Sequence, residues 1–256
     1  MHKTWMKLGG VVAAALMLMA PAAAAEDADA LRVLLVTGGG WHDFETQQDI
    51  LRDGIGERIN AEFTVHWEDE VGTERMEPFE DPNWPEHYDL VVYNISFGAV
   101  ESDDEGWVRE NIVERHVEHG LPAVVIHGTI HTYRGHPDAD TWQAFLGLRS
   151  MNHQSHQPFT VEALEPDHPI IADMPLPWDT PNGELYNVEE VYDTAAPLTH
   201  SLGEDEDYHV NIWTNVYEGV RVFGTTIGHH NETMEHEVYQ DMLAQGIRWA
   251  IGALEE

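Results

Sequence analysis

Histidine gathers at the ends of apolar runs in this chain. His42 follows Leu31-Arg-Val-Leu-Leu-Val-Thr37 and the glycine run Gly38-Gly-Gly40. His127 and His131 close Pro122-Ala-Val-Val-Ile-His-Gly-Thr-Ile-His131, and His229 and His230 close Val220-Arg-Val-Phe-Gly-Thr-Thr-Ile-Gly-His-His230. Imidazole is a common metal ligand and the usual acid–base group near neutral pH. In an open α/β sheet, ligands collect beyond the carboxyl ends of the strands. Three such ends that each deliver imidazole therefore predict one site. The expected ligands of a divalent metal, zinc foremost, are His42, His127, His131 and His229. His127 and His131 are four apart, so a helical turn there would put both rings on one face.

Glu184, in Asn182-Gly-Glu-Leu-Tyr186, sets a carboxylate beside an aromatic within a turn. It is the expected proton carrier, and with His127 and His229 it makes the predicted catalytic set. Trp41, Tyr186 and Trp213 are the expected stacking walls for a sugar ring, and His153 joins them as a substrate-binding residue. Each has a plainer reading. His153, His156 and His168 are loop histidines of the kind usually solvated, His230 is expected to point outward, Glu184 is one acid among many, and Trp213 fits a core equally well.

Other chemistries lack their motifs. There is no G-x-S-x-G elbow and no P-loop, and the glycine run is not G-x-G-x-x-G. Cysteine is absent, which removes a thiol nucleophile, a thiolate metal site and any disulfide.

The charge is extreme, with 12 Lys+Arg against 47 Asp+Glu. Both lysines, Lys3 and Lys7, precede an apolar stretch, Leu8 to Met19, that ends at Pro21-Ala-Ala-Ala-Ala25. This reads as a secretory signal cut near Ala25, since the apolar run falls short of the ~20 residues a span requires. The expected location is secreted or periplasmic, with no membrane attachment after cleavage. Beyond Ala25, ten arginines face 47 acids, a balance of −37. Phosphate binding needs a basic face, so nucleic acid is not an expected partner; a small carbohydrate is, and a homo-oligomer is left open. A carboxylate-covered surface without lysine suits high salt, which screens its repulsion. Circular dichroism should accordingly show loss of structure as salt is removed, and full folding in dilute buffer would count against this reading.

The run from Leu31 to Thr37 is a buried strand of parallel-sheet type, followed by a helix over Thr46–Ile59 and strands over Phe63–Trp67, Tyr88–Asn94 and Ala123–Ile126. Ser102 and Glu105 form a capping box for a helix ending at Gly120. Residues 152–215 read as an insertion of short strands and loops (Phe159–Leu164, Leu185–Tyr192, Tyr208–Trp213) over the sheet's C-terminal edge. A strand over Arg221–Ile227 and a helix over Glu232–Ile251 complete the domain, the helix presenting Tyr239, Leu243, Ile247 and Ile251 on one face. The order predicts one α/β domain over residues 26–256, a doubly wound, mostly parallel sheet.

Leu34-Leu-Val-Thr-Gly-Gly-Gly-Trp-His-Asp43, Pro122 to His127, Asp167-His-Pro-Ile170, Gly183-Glu-Leu-Tyr186, Val210-Asn-Ile-Trp213, Arg221 to His229 and Gly246-Ile-Arg-Trp-Ala250 together resemble the ThuA-like (trehalose utilisation) family. The resemblance runs in order along nearly the whole chain after the leader. It implies a flavodoxin-like fold similar to class I glutamine amidotransferases, whose nucleophile elbow normally carries cysteine. His127 stands at that elbow here, so glutaminase chemistry is not expected. Family members accompany sugar oxidoreductases and 3-keto-sugar metabolism. The chain departs from the family pattern at Thr129-Ile-His131, where small residues are common, and at His230, where an acid is common. The expectation is an exported, metal-dependent enzyme acting on a sugar or keto-sugar by isomerisation, lyase or hydrolytic chemistry. The alternative is a non-catalytic carbohydrate-binding protein on the same fold, which needs the aromatics but no catalytic base.

Overall fold

The computed structural model describes residue 1 and residues 29–68, 75–98 and 104–254. The signal segment and Ser102 lie outside the described residues. The chain runs β1 (Leu31–Gly39), α1 (Phe44–Gly56), β2 (Ala61–Glu68), β3 (Leu90–Ser96), α2 (Glu114–His119), β4 (Ala123–Ile126) and α3 (Ala139–Leu146). It continues as β5 (Leu148–His156), β6 (Thr160–Ala163), β7 (Trp178–Asp179), β8 (Glu184–Val191), β9 (Ala195–Leu202) and β10 (Tyr208–Tyr217). It closes with β11 (Val220–Thr225), α4 (Asn231–Met234) and α5 (Glu237–Ala250).

The near-continuous apolar character of β1 buries Val33 through Gly38 without interruption, because both faces of the sheet are covered. β1 lies between β2 and β3, β4 joins β3, and β11 joins β4, all parallel. Leu34 and Val36 face one layer with Ile112, Trp142 and Phe145. Val33 and Leu35 face the other, with Leu51 and Ile55 of α1 and Leu243 and Ile247 of α5. The expected doubly wound α/β sheet is therefore present.

The region over 152–215 does two different things. β10, β9, β6 and β7 extend the main sheet antiparallel beyond β11, giving the order β2-β1-β3-β4-β11-β10-β9-β6-β7. Only β5 and β8 form a separate antiparallel ribbon, which brings Glu184 and His156 to the site described below. Two helix boundaries also differ from expectation. The Asp138 carboxylate, remote in sequence, accepts from the Gly106 and Arg109 amides at the start of the helical stretch leading into α2. The final helix is interrupted before α5, whose N-cap His236 accepts from the Val238 amide.

His116 on α2 is fully buried. Its Nδ1–H donates to the Leu121 carbonyl at 2.6 Å, and its Nε2 accepts from the Tyr93 hydroxyl at 2.8 Å. Burial holds its pKa down to about 4, from an ordinary 6.5. The unfolded chain therefore takes up a proton below pH 6.5 that the folded chain refuses until about pH 4. The stability this ring contributes is whole above pH 6.5 and falls by about 3 kcal/mol on descent to pH 4. Urea unfolding of wild type and His116→Gln from pH 7.5 to 4.5 should show the shallower pH dependence in the variant; equal slopes would refute the assignment.

Candidate metal centre

Parallel strands end on the same edge, so the loops after β1, β4 and β11 meet. β1 runs on into the glycines, and Gly39, at φ 101°, has its Cα so near Ser96 that an added Cβ would lie 2.2 Å from the Ser96 carbonyl oxygen. The chain then turns through Trp41, at φ 72°, and delivers His42 before α1 is capped by Asp43. His127 directly follows β4, and its φ of 40° is a strained value for a side-chain-bearing residue, of the kind that gathers at functional sites. Gly128 keeps the space beside it open, since a Cβ there would stand 3.1 Å from the His42 ring. His229 follows β11, and its carbonyl is held by Gln47 Nε2 at 3.0 Å. Gln47 in turn accepts from Asn94 at the end of β3.

The ring orientations are fixed from behind. His42 Nδ1–H donates to the Gly40 carbonyl at 2.9 Å, and His127 Nδ1–H donates to the Thr226 carbonyl at 2.6 Å. Both rings therefore present an Nε2 lone pair to the cluster, and His42 Nε2 is buried without a hydrogen-bond partner. Glu184, buried at the start of β8, sends Oε2 to within 3.1 Å of His127 Nε2 and 3.3 Å of His229 Nδ1, and those two nitrogens are 3.2 Å apart. The Tyr186 hydroxyl stands 3.3 Å from His127 Nε2.

Burial favours neutral rings. It lowers the pKa of His42 to about 3, with the neighbouring His127 and His229 adding to the effect, and it also lowers that of His127. Burial would raise Glu184, but hydrogen bonding to His127 and His229 outweighs it and holds the carboxyl far below the usual carboxylate range. Burial and the nearby Glu184 push the Tyr186 phenol well above 10, so it keeps its proton. The result is an ionised carboxylate packed against ring nitrogens that can offer it a proton or offer a shared cation a lone pair. Such an arrangement repels itself unless protons or a cation occupy the centre.

The set fits a metal cation. One ligand atom from each of His42, His127, Glu184 and His229 lies within 4.8 Å of the others. Ligands at about 2.0–2.1 Å in a tetrahedron stand about 3.3 Å apart, close to the three separations above. Among the described residues this buried His/Glu group can hold a metal ion.

The other predicted site residues divide. His131 is not in that group. Its Nε2–H donates to Ser150 Oγ at 3.0 Å, because the Ser150 hydroxyl proton is committed to the Asn152 carbonyl, and its ring stacks on Tyr186 at 3.9 Å and 6°. The turn after β4 is a tight 3-10 turn from His127 to His131, so a spacing of four does not place the two rings together as an α-helix would. Trp41 (63% exposed), Tyr186 and His153 line a cleft of about 280 Å³ beside the cluster. Trp213 does not. It is wholly buried in the core, donates its indole N–H to the Leu146 carbonyl at 2.8 Å and lies against Gly224. His156, read from sequence as a loop residue, reaches Glu184 Oε1 at 2.8 Å, and His153 Nδ1 reaches the same oxygen at 3.0 Å. Strand alternation would put residues three apart on opposite faces, but a register irregularity between His153 and His156 re-aims them. Gln47 and Asn94 carried no sequence signal beyond polarity within an apolar context.

The chain is thus a mostly parallel α/β protein with a His/Glu cluster at the carboxyl edge of its sheet. The chain belongs to the ThuA (trehalose utilisation) family, whose model matches residues 32–250. It is similar to a ThuA-like protein of Parabacteroides merdae, at 19% identity and TM-score 0.71 over 88% of this chain and 91% of that one. A ThuA-like protein of Bacteroides uniformis matches at 16% identity and TM-score 0.63, over 88% and 94%. A Thermoplasma acidophilum protein that carries a GMP synthase name matches at 12% identity and TM-score 0.51, over 87% and 96%. No protein of curated function matches in sequence.

Proposed function

We propose that the protein is a metal-dependent enzyme acting on a sugar or keto-sugar. The observation that carries this is the meeting of His42, His127 and His229 ring nitrogens with an ionised Glu184 at the base of an aromatic-flanked cleft. The family name supplies the connection to carbohydrate. A bound divalent ion would supply Lewis acidity, polarising a carbonyl or hydroxyl or making bound water more acidic.

The chain's own groups do the rest. Tyr186, held protonated, donates a hydrogen bond toward a substrate oxygen beside His127. His156, whose Nε2 lies 2.8 Å from Glu184 Oε1 on the cleft side, moves the proton while the ionised Glu184 stabilises its charged ring, which suits enolisation α to a keto group or hydrolysis. Trp41 offers an exposed indole face to a pyranose ring. Trp41→Ala should weaken sugar binding about 3- to 10-fold while leaving metal content unchanged, as judged by titration calorimetry and elemental analysis; unchanged affinity would remove Trp41 from the cleft wall.

The test of the reading is elemental analysis of untagged protein purified without chelator, followed by a turnover screen of keto-sugars and glycosides. About one tightly held zinc-like ion per chain, with metal-dependent turnover, is expected. Sugar binding without turnover, unchanged in Glu184→Gln, would favour the non-catalytic binding protein.

A further inference from the structure

One tetrahedral ion uses four protein ligands at most, yet the histidines around Glu184 do not stop at His42, His127 and His229. The carboxylate divides its two oxygens between two groups of rings. Oε2 faces His127 and His229 at 3.1 and 3.3 Å, and Oε1 faces His153 and His156 at 3.0 and 2.8 Å. The second group differs in exposure: the His153 and His156 side chains are 44% and 47% exposed, whereas those of Glu184 and His127 are buried. His153, His156 and Glu184 bring three ligand atoms within 4.8 Å of one another, and a further such triple, His156, His229 and His230, overlaps it. His230 Nε2 is buried and has no hydrogen-bond partner, so spare ligand capacity lies on this outer side.

We infer that Glu184 bridges two cations, an inner one held with His42, His127 and His229 and an outer, solvent-open one held through Oε1 by His153 and His156. The inference rests on the inner reading proposed above. A bridging carboxylate sets two ions about 3.5–4 Å apart, the spacing at which paired ions clamp the two oxygens of a displacement or a polarised carbonyl and its attacking water. Exposure makes the outer ion the weaker and exchangeable one, so His156 is free for the proton transfer assigned to it above whenever that ion is absent. In the metal-free state the His156 ring donates to Oε1 at 2.8 Å, while His153 Nδ1, 3.0 Å from the same oxygen, makes its hydrogen bond to the Gln154 carbonyl at 2.9 Å. The competing account leaves His156 as a donor that merely orients Glu184 and His153 as a ring held by the Gln154 carbonyl.

The experiment is equilibrium dialysis of chelator-stripped, untagged protein against zinc chloride, with zinc counted by mass spectrometry. The wild type, a His153→Ala/His156→Ala variant and His42→Ala are compared after circular dichroism confirms folding. Two zinc ions per chain in wild type are expected, the second bound at least 10-fold more weakly. The double variant should keep one tight ion, and His42→Ala should lose that tight ion. Manganese loaded in place of zinc should give an exchange-coupled electron paramagnetic resonance spectrum in wild type and an isolated-ion spectrum in the double variant.

One ion in wild type, still bound in the double variant, would overturn the bridged pair and leave the inner site standing. Two ions retained by the double variant would place the second elsewhere and also overturn it. No tight ion in wild type would overturn the inner site and this inference together.

Discussion

Glu184→Gln should lose the bound cation while keeping the fold. The substitution preserves shape but replaces an ionised oxygen, held 3.1 and 3.3 Å from two ligand nitrogens, with a neutral amide. Changing even a residue that only hydrogen-bonds a metal ligand costs about 10- to 100-fold in affinity or activity. Loss of a direct, charged ligand should therefore cost at least ~100-fold in affinity, with turnover falling alongside. His127→Ala should do the same, since its Nε2 sits at the centre of the group. His131→Asn is the informative contrast. That ring lies nearby, but its Nε2 is spent on Ser150, so metal content should be retained. Full metal occupancy in Glu184→Gln and His127→Ala would sink the assignment, and equal loss in His131→Asn would restore the four-histidine set read from spacing.

Trp213→Ala should be the most destabilising of these single changes. Trp213 is fully buried, bonded to the Leu146 carbonyl and packed where an added Cβ on Gly224 would come within 2.1 Å of its ring. Truncating such a side chain leaves a cavity and costs about 3–5 kcal/mol, which for a chain of this size lowers the melting temperature by on the order of 10 °C. Trp213→Phe should recover part of that, while metal content and sugar affinity at permissive temperature stay near wild type. A stable Trp213→Ala protein with impaired sugar binding would return Trp213 to the cleft.

These two residues mark how far the sequence reaches. The parallel half of the sheet is legible because both its faces are covered, which makes β1, β3 and β4 nearly continuous apolar runs that local pattern reports directly. The positions of His42, His127 and His229 follow, since parallel strands share one carboxyl edge and a histidine just past each must meet the others. Glu184 was visible as a carboxylate beside Tyr186, and its role as the fourth member of the group came only with the ribbon of β5 and β8.

Where a decision turned on orientation, the sequence was silent. Whether Trp213 stacks on ligand or fills the core depends on which face of β10 is covered. That is settled by packing against α3 and β11, not by an aromatic's identity. His131 is four residues from His127, yet a 3-10 turn in place of an α-turn points it at Ser150. His156 belongs to the site because of a register irregularity that period-two reasoning cannot anticipate. The sequence by itself determined the fold class and the edge on which the histidines gather, because apolar periodicity encodes burial. The tertiary structure decided which ring nitrogens converge, because that depends on backbone dihedrals at single residues and on hydrogen bonds between segments as far as 182 positions apart.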